Sequence, residues 1–149
     1  MPAGATTLPE CKLEIRPLRA DDLDAVAAIQ EASPEASHWN PADYLGLDST
    51  VAVCNGTIAG FLVTRTVSDG ESEILNLAVA PRYRRCGVAK HLISDRNVLL
   101  RGVVFLEVRA SNTVAQNLYK SLGFQEVAWR PGYYENPPES AIVMKFHSC

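Results

Sequence analysis

Residues able to grip an anion are concentrated between Pro81 and His91, where Arg82, Arg84 and Arg85 precede Cys86, Gly87, Val88 and Ala89. Upstream, Ile74 to Ala80 is an apolar run broken only by Asn76, which reads as a buried strand ended by Pro81. Downstream, the apolar spacing of Val88, Leu92, Ile93, Leu99 and Leu100 reads as a helix. The basic turn therefore opens a helix. The first turn of a helix leaves backbone N–H groups without internal acceptors, and aligned peptide dipoles add positive potential there. Gly87 lets backbone approach a guest without a Cβ in the way, Ala89 keeps the wall low, and the arginines add charge. A pyrophosphate suits such a seat. A solvated basic turn capping an ordinary strand–helix unit is the plainer alternative, and the turn by itself does not choose. No Lys-Ser or Lys-Thr follows Gly87, so this is not a P-loop, and the Gly-x-Gly-x-x-Gly dinucleotide fingerprint is absent.

Other residues with chemical capacity are scattered. Glu107 lies inside the apolar strand Val103 to Arg109, where an unpaired carboxylate is costly and asks for a partner or a function. Glu73 heads the strand before the basic turn and could equally be solvated. Tyr119 reads from periodicity alone as a half-buried helix aromatic. Cys86, at a basic helix start, has the surroundings that favour a thiolate, although a small residue tolerated in a turn explains it as well. Cys11, Cys54, Cys86 and Cys149 show no Cys-x-x-Cys spacing and no nearby His, so neither a zinc site nor a disulfide framework is indicated and free thiols are expected.

Leu77-Ala78-Val79 followed by Pro81 and Arg84-x-x-Gly87-x-Ala89 resembles the acetyl-CoA-binding signature of the GNAT superfamily of N-acetyltransferases. Leu106 to Asn112 and Ala115 to Phe124 are similar to its RimI branch, whose members acetylate the N-terminal alanine of a ribosomal protein. The resemblance runs from about Leu13 to Phe146 and is stronger from Glu73 onward. It implies a GNAT fold, an α/β single-domain mixed twisted sheet of about six to seven strands flanked by helices. It also implies acetyl-CoA as donor, CoA as product and no metal.

Site residues follow from the same resemblance. Arg84, Arg85, Cys86, Gly87, Val88 and Ala89 would seat the pyrophosphate. The backbone of Leu77, Ala78 and Val79 would hold pantetheine along a strand splayed from its neighbour, with Asn112 adding a polar contact. Tyr119 stands where the family places the acid that protonates the departing thiolate. Glu107 matches the RimI pattern and is preferred as base over Glu73, whose setting resembles that of the base in histone-type lysine acetyltransferases. Trp39 and His38, with Tyr133 and Tyr134 in the loop Arg130 to Ser140, would line the acceptor site, and Glu135 could pair a cationic amine. The acceptor expected is a protein or peptide N-terminus, a ribosomal protein among the candidates. A small amine, an amino acid, a lysine side chain, or binding of acyl-CoA without turnover are the alternatives.

Composition agrees with a folded enzyme. The 149 residues suit one domain, and 47% hydrophobic with 21% charged residues is ordinary for a globular chain. A net charge of −3 argues against direct nucleic-acid binding. No apolar stretch approaches the ~20 residues of a membrane span, and no signal peptide is evident at the start, so a cytoplasmic protein, monomeric or weakly dimeric, is expected.

The elements that must position these residues read in order. Residues 1–11 form a flexible lead-in, and 12–149 a single acetyltransferase domain. Leu13 to Arg16 alternates as a first strand, and Asp21 or Asp22 starts a helix that ends near Ser33-Pro34. Asn40 caps a short helix with Pro41 at its first position and Tyr44, Leu45 and Leu47 facing inward. Asn55-Gly56 joins two strands as a hairpin, and Ser68-Asp69-Gly70 turns into the next. A helix from Val88 to Arg101, about one turn shorter than in RimI relatives, crosses right-handedly to the strand Val103 to Arg109. Ser111 or Asn112 caps a further helix with Gly123 at its end. Strands at Phe124 to Trp129 and Ala141 to Phe146 flank a loop from Pro131 to Ser140.

Overall fold

The structure, a computed structural model, describes residues 12–33, 39–95, 102–134 and 138–147. The lead-in, His38, the far end of the crossover helix, Glu135, Cys11 and Cys149 lie outside these residues. Seven strands are hydrogen-bonded in the order β1 (Leu13–Pro17), β2 (Asp48–Cys54), β3 (Thr57–Ser68), β4 (Glu71–Val79), β5 (Val103–Arg109), β7 (Glu139–His147), β6 (Gln125–Tyr134). The helices are α1 (Leu23–Glu31), α2 (Val88–Asp95) and α3 (Thr113–Ser121). β4 and β5 run parallel, Glu71 to Ile74 lying opposite Val103 to Leu106, and β5 pairs antiparallel with β7. The mixed sheet is the one expected. Chain contacts define two compact units, Met1–Val63 with Asn76–Arg96, and Thr64–Leu75 with Asn97–Cys149.

In the first unit, Asn55 and Gly56 both take positive φ, 51° and 81°, the backbone that a two-residue hairpin demands. Asn40 accepts a hydrogen bond from the Ala42 N–H and starts a 3₁₀ helix over Pro41–Gly46. Three residues per turn bury Tyr44 but turn Leu45 outward, against the expectation that both face inward. Asn76, the polar break in the apolar run, joins a buried cluster: its Nδ2 donates to Tyr44 Oη at 3.0 Å and Gln30 Oε1 at 3.2 Å. Gly60 of β3 seats α2, since a Cβ there would stand 2.9 Å from the Ala78 carbonyl and 3.1 Å from Val88 Cγ1. Cys54 is disulfide-bonded, whereas a free thiol was expected; linear spacing carries no trace of such a bond. Cys86 is free and exposed.

In the second unit β5 alternates strictly, with Val104, Leu106 and Val108 buried and Phe105, Glu107 and Arg109 on the other face. Asn112, not Ser111, caps α3 by accepting from the Ala115 N–H at 3.1 Å. The helix ends in a Schellman motif: Phe124 N–H bonds Tyr119 C=O and Gly123 N–H bonds Lys120 C=O, each at 3.0 Å, with Gly123 at φ 102°. β6 runs on to Tyr134 and β7 begins at Glu139, so most of the expected loop is strand. Among the described residues no helix is long and apolar enough to cross a membrane, and no cluster could hold a metal ion.

The start of α1 rests on Asp22, whose carboxylate accepts from Arg16 Nη1 and Nη2 at 2.8 and 2.9 Å and from the Arg19 N–H at 2.8 Å. The hydrogen bonds from Arg16 hold the Asp22 carboxyl below its usual pKa, against burial and helped by the Arg19 N–H. A lowered folded pKa gives stability that is present above the unfolded value and is lost as pH falls through the folded one. Asp22→Ala is expected to cost about 1–3 kcal/mol of unfolding free energy at neutral pH. In denaturant titrations the gap from wild type should close as pH falls below about 4.

Candidate active site

The first unit carries the basic turn. Arg85 and Gly87 both adopt left-handed backbone, φ 65° and 81°, and α2 begins at Val88. Holding a non-glycine residue there costs of order 1 kcal/mol, a strain common at binding sites. Space beside Gly87 is open except for the His91 ring, 3.6 Å from where a Cβ would stand, and His91 Nδ1 lies 2.8 Å from the Gly87 carbonyl. Arg85 is exposed. Arg84 is engaged elsewhere: Nη2 donates to Ala32 C=O and Ser33 Oγ, both at 3.1 Å, and Nε to Val79 C=O at 3.3 Å. It braces the turn against the end of α1. The Cys86 thiol donates to the Arg84 carbonyl at 3.3 Å, and Val88 is buried on Gly60. Ala89 is half-buried on the first turn of α2. On β4 the Ala78 side chain is buried, Leu77 and Val79 alternate onto the other face, and the Leu77 N–H donates to Asn76 Oδ1 at 3.0 Å. Trp39 is 41% exposed, its ring 6.5 Å from that of Tyr44, and its carbonyl accepts from Gln30 Nε2.

The second unit gathers the acid–base candidates. Glu73 lies opposite Phe105 in the parallel register, so it shares a face with Phe105 and with Glu107 two residues on. Each glutamate has an arginine. Arg65 Nε and Nη2 donate to Glu73 Oε1 at 3.0 and 2.8 Å, and Arg130 Nη1 donates to both oxygens of Glu107 at 3.1 and 3.0 Å. The partner that Glu107 required is therefore Arg130, two strands away. Arg130 and Tyr134 stand opposite Ala141 and Glu139, four residues of β6 against two of β7. The two extra residues form a bulge with Gly132 at φ 64°. That bulge brings Tyr133 near Glu107, whose charge it feels, and lays its ring under Arg130, 4.3 Å from centroid to guanidinium carbon.

The remaining phenols continue from there. Tyr134 meets Tyr133 edge-on at 5.0 Å and carries Arg109 over its ring at 4.4 Å. Arg109 also pairs with Glu139, which accepts from the Ser111 N–H at the α3 start. Tyr119 is buried, edge-on to Phe124 at 5.5 Å, and feels the charge of Tyr134. Burial raises all three phenol pKa values, Tyr134 to about 12, with Glu107 adding to the rise at Tyr133 and Tyr134. Glu107, Glu73, Tyr133 and Tyr134 thus lie in one unit as a carboxylate–phenol group, and Tyr119, packed with Phe124, couples to it through Tyr134. Arg65, Arg109, Arg130 and Glu139 were missed, because cross-strand register, and not local spacing, brings them there.

The Acetyltransferase (GNAT) family model matches residues 14–124, well over half of the chain. The chain belongs to that family. It is similar to the ribosomal protein bS18-alanine N-acetyltransferase of Salmonella typhimurium, 41% identical over 140 residues, 85% of this chain and 92% of that one. Identity with the Escherichia coli K12 protein of the same description is 42% over 96 residues, 60% of this chain and 64% of that relative. The alignment thus spans a little under two thirds of the E. coli relative. The crystal structure of the E. coli ribosomal-protein-S18-alanine N-acetyltransferase matches with a TM-score of 0.77 at 31% identity, covering 91% of this chain and 94% of the other. The expected GNAT fold and RimI resemblance are both borne out.

A phenol with a raised folded pKa stabilises the fold below the unfolded value of about 10 and loses that contribution as pH rises towards its folded value. Unfolding free energy should therefore fall between about pH 10 and 12. Tyr134→Phe, which cannot ionise, should flatten that decline in denaturant titrations; an unchanged slope would contradict the burial of this hydroxyl.

Proposed function

We propose that the protein is an acetyl-CoA-dependent N-acetyltransferase whose acceptor is the N-terminal amine of a protein or peptide, an alanine-type terminus such as that of a ribosomal protein first among them. The observation that carries this is the Glu107 carboxylate beside Arg130, Tyr133 and the half-buried Tyr134, with the buried Tyr119 coupled to Tyr134. Such an arrangement supplies a proton acceptor and proton donors. The basic turn fits a diphosphate: its glycine leaves room that a side chain would take, and Arg85 is free to face an anion. Backbone N–H groups of Arg84 to Ala89 would hold that group, the main chain of Leu77 to Val79 the pantetheine, and Asn112 a polar atom of it. Because Arg84 is committed to Ala32 and Ser33, its role is to set the turn and not to touch phosphate.

Acetyl-CoA supplies the acetyl group as an activated thioester. Glu107 takes the proton from the acceptor ammonium, and Tyr133 and Tyr134 wall the amine. Glu73, which touches Tyr133 only through its charge, is the second choice as base. Tyr119 Oη, buried and of raised pKa, keeps its proton at any working pH and donates it as sulfur leaves. Neutralising a peptide α-amine at pH 7 costs about 1 kcal/mol, against about 4.6 kcal/mol for a lysine. A carboxylate already paired with Arg130 suits the smaller task.

CoA release measured with an alanine-starting peptide, with lysine and with small amines tests this reading. Turnover is expected with the peptide; turnover only with small amines would move the acceptor, and binding of acetyl-CoA without turnover on any amine would leave a sensor. Tyr119→Phe is expected to lower kcat by about 10²–10⁴ while leaving acetyl-CoA affinity unchanged.

A further inference from the structure

Arg130 holds Glu107 loosely. One nitrogen, Nη1, donates to both carboxylate oxygens at 3.1 and 3.0 Å, without the two-nitrogen fork that makes arginine–carboxylate pairs strong. The Arg130 side chain is 53% exposed, whereas that of Glu107 is 16% exposed. Its guanidinium carbon stands over the Tyr133 ring, 4.3 Å from the centroid. An enclosed carboxylate beside an aromatic face is a seat for a cation, and the present occupant lies half in water. Ion pairs and cation–π contacts so exposed are individually weak. Arg65 differs, since two of its nitrogens converge on one oxygen of Glu73.

The geometry points to Arg130 as an internal stand-in for the acceptor's ammonium, filling the seat of Glu107 and Tyr133 until an amine displaces it. This rests on Glu107 being the group that meets the acceptor. The arrangement sets specificity. A small amine exchanges one cation for another and gains little, whereas a peptide N-terminus brings main-chain contacts that a simple amine lacks. Arg130 therefore filters acceptors towards peptides by withholding part of the binding that the ammonium alone would provide.

Calorimetry on the full-length protein tests it with an alanine-starting peptide and its N-acetylated counterpart, which carries no terminal cation. Arg130→Gln, checked for folding by circular dichroism, is expected to bind the free-amine peptide about three- to tenfold more tightly and the acetylated one unchanged. Arg130→Lys keeps the cation and should stay within about twofold of wild type for both. Methylguanidinium should weaken binding of the free-amine peptide to Arg130→Gln but not to wild type. Arg130→Gln binding the free-amine peptide no more tightly than wild type, or tightening on both peptides alike, would overturn the proposal. The reading as an acetyltransferase fails by a separate sign, absence of CoA release by the wild type with every amine.

Discussion

A carboxylate set midway along a β-strand has to be satisfied where it stands, because the neighbouring backbone is committed to the ladder and the flanking side chains are apolar. Glu107 is in that position, and much of the second unit is arranged around it. The alternation of β5 turns Glu107 to the same face as Arg109, while Leu106 and Val108 go to the core. β6 continues past Trp129, which brings Arg130 within reach, and the bulge at Pro131 and Gly132 lays Tyr133 under Arg130. Arg109 in turn holds Tyr134 and Glu139, and Glu139 fixes the backbone at the start of α3.

Tyr119 is positioned by a different device. Tyr119 lies at the third residue from the end of α3, where the Schellman closure takes its carbonyl and Phe124 packs on its ring. Gly123 permits that closure twice over: its positive φ suits only glycine, and a Cβ would meet the Phe146 ring at 2.9 Å. In the first unit, the same economy sets the basic turn. Gly60 lets Val88 sit directly on β3, and Arg84 ties the turn to the end of α1. The chemistry assigned to these groups therefore depends on rigid elements and on one turn, Arg84 to Gly87, that is braced against them.

Much of this was legible in the chain. Apolar runs, the Asn55-Gly56 hairpin, the Asn40 and Asn112 caps and Gly123 each carry a local signal, and the structure places each element where the signal lies. What could not be read depends on contacts between distant segments. Pro131 and Gly132 look like loop residues, yet a bulge absorbs them into β6. Arg84 has the composition of a phosphate ligand but finds two acceptors at the end of α1 instead. Asn76 interrupts an apolar run for a reason that lies in Gln30 and Tyr44. Cys54 is bonded, and its spacing gave no hint.

The central claim is that Glu107 removes the proton from the acceptor amine. It is tested most directly by the pH dependence of kcat/KM for Glu107→Gln acting on an alanine-starting peptide. Glutamine still accepts from Arg130 but cannot take a proton, so activity should fall about sixfold at pH 7 and recover towards wild type as pH passes about 8, where the α-amine deprotonates unaided. A variant as active as wild type at pH 7, or one whose deficit is the same at every pH, would contradict the account.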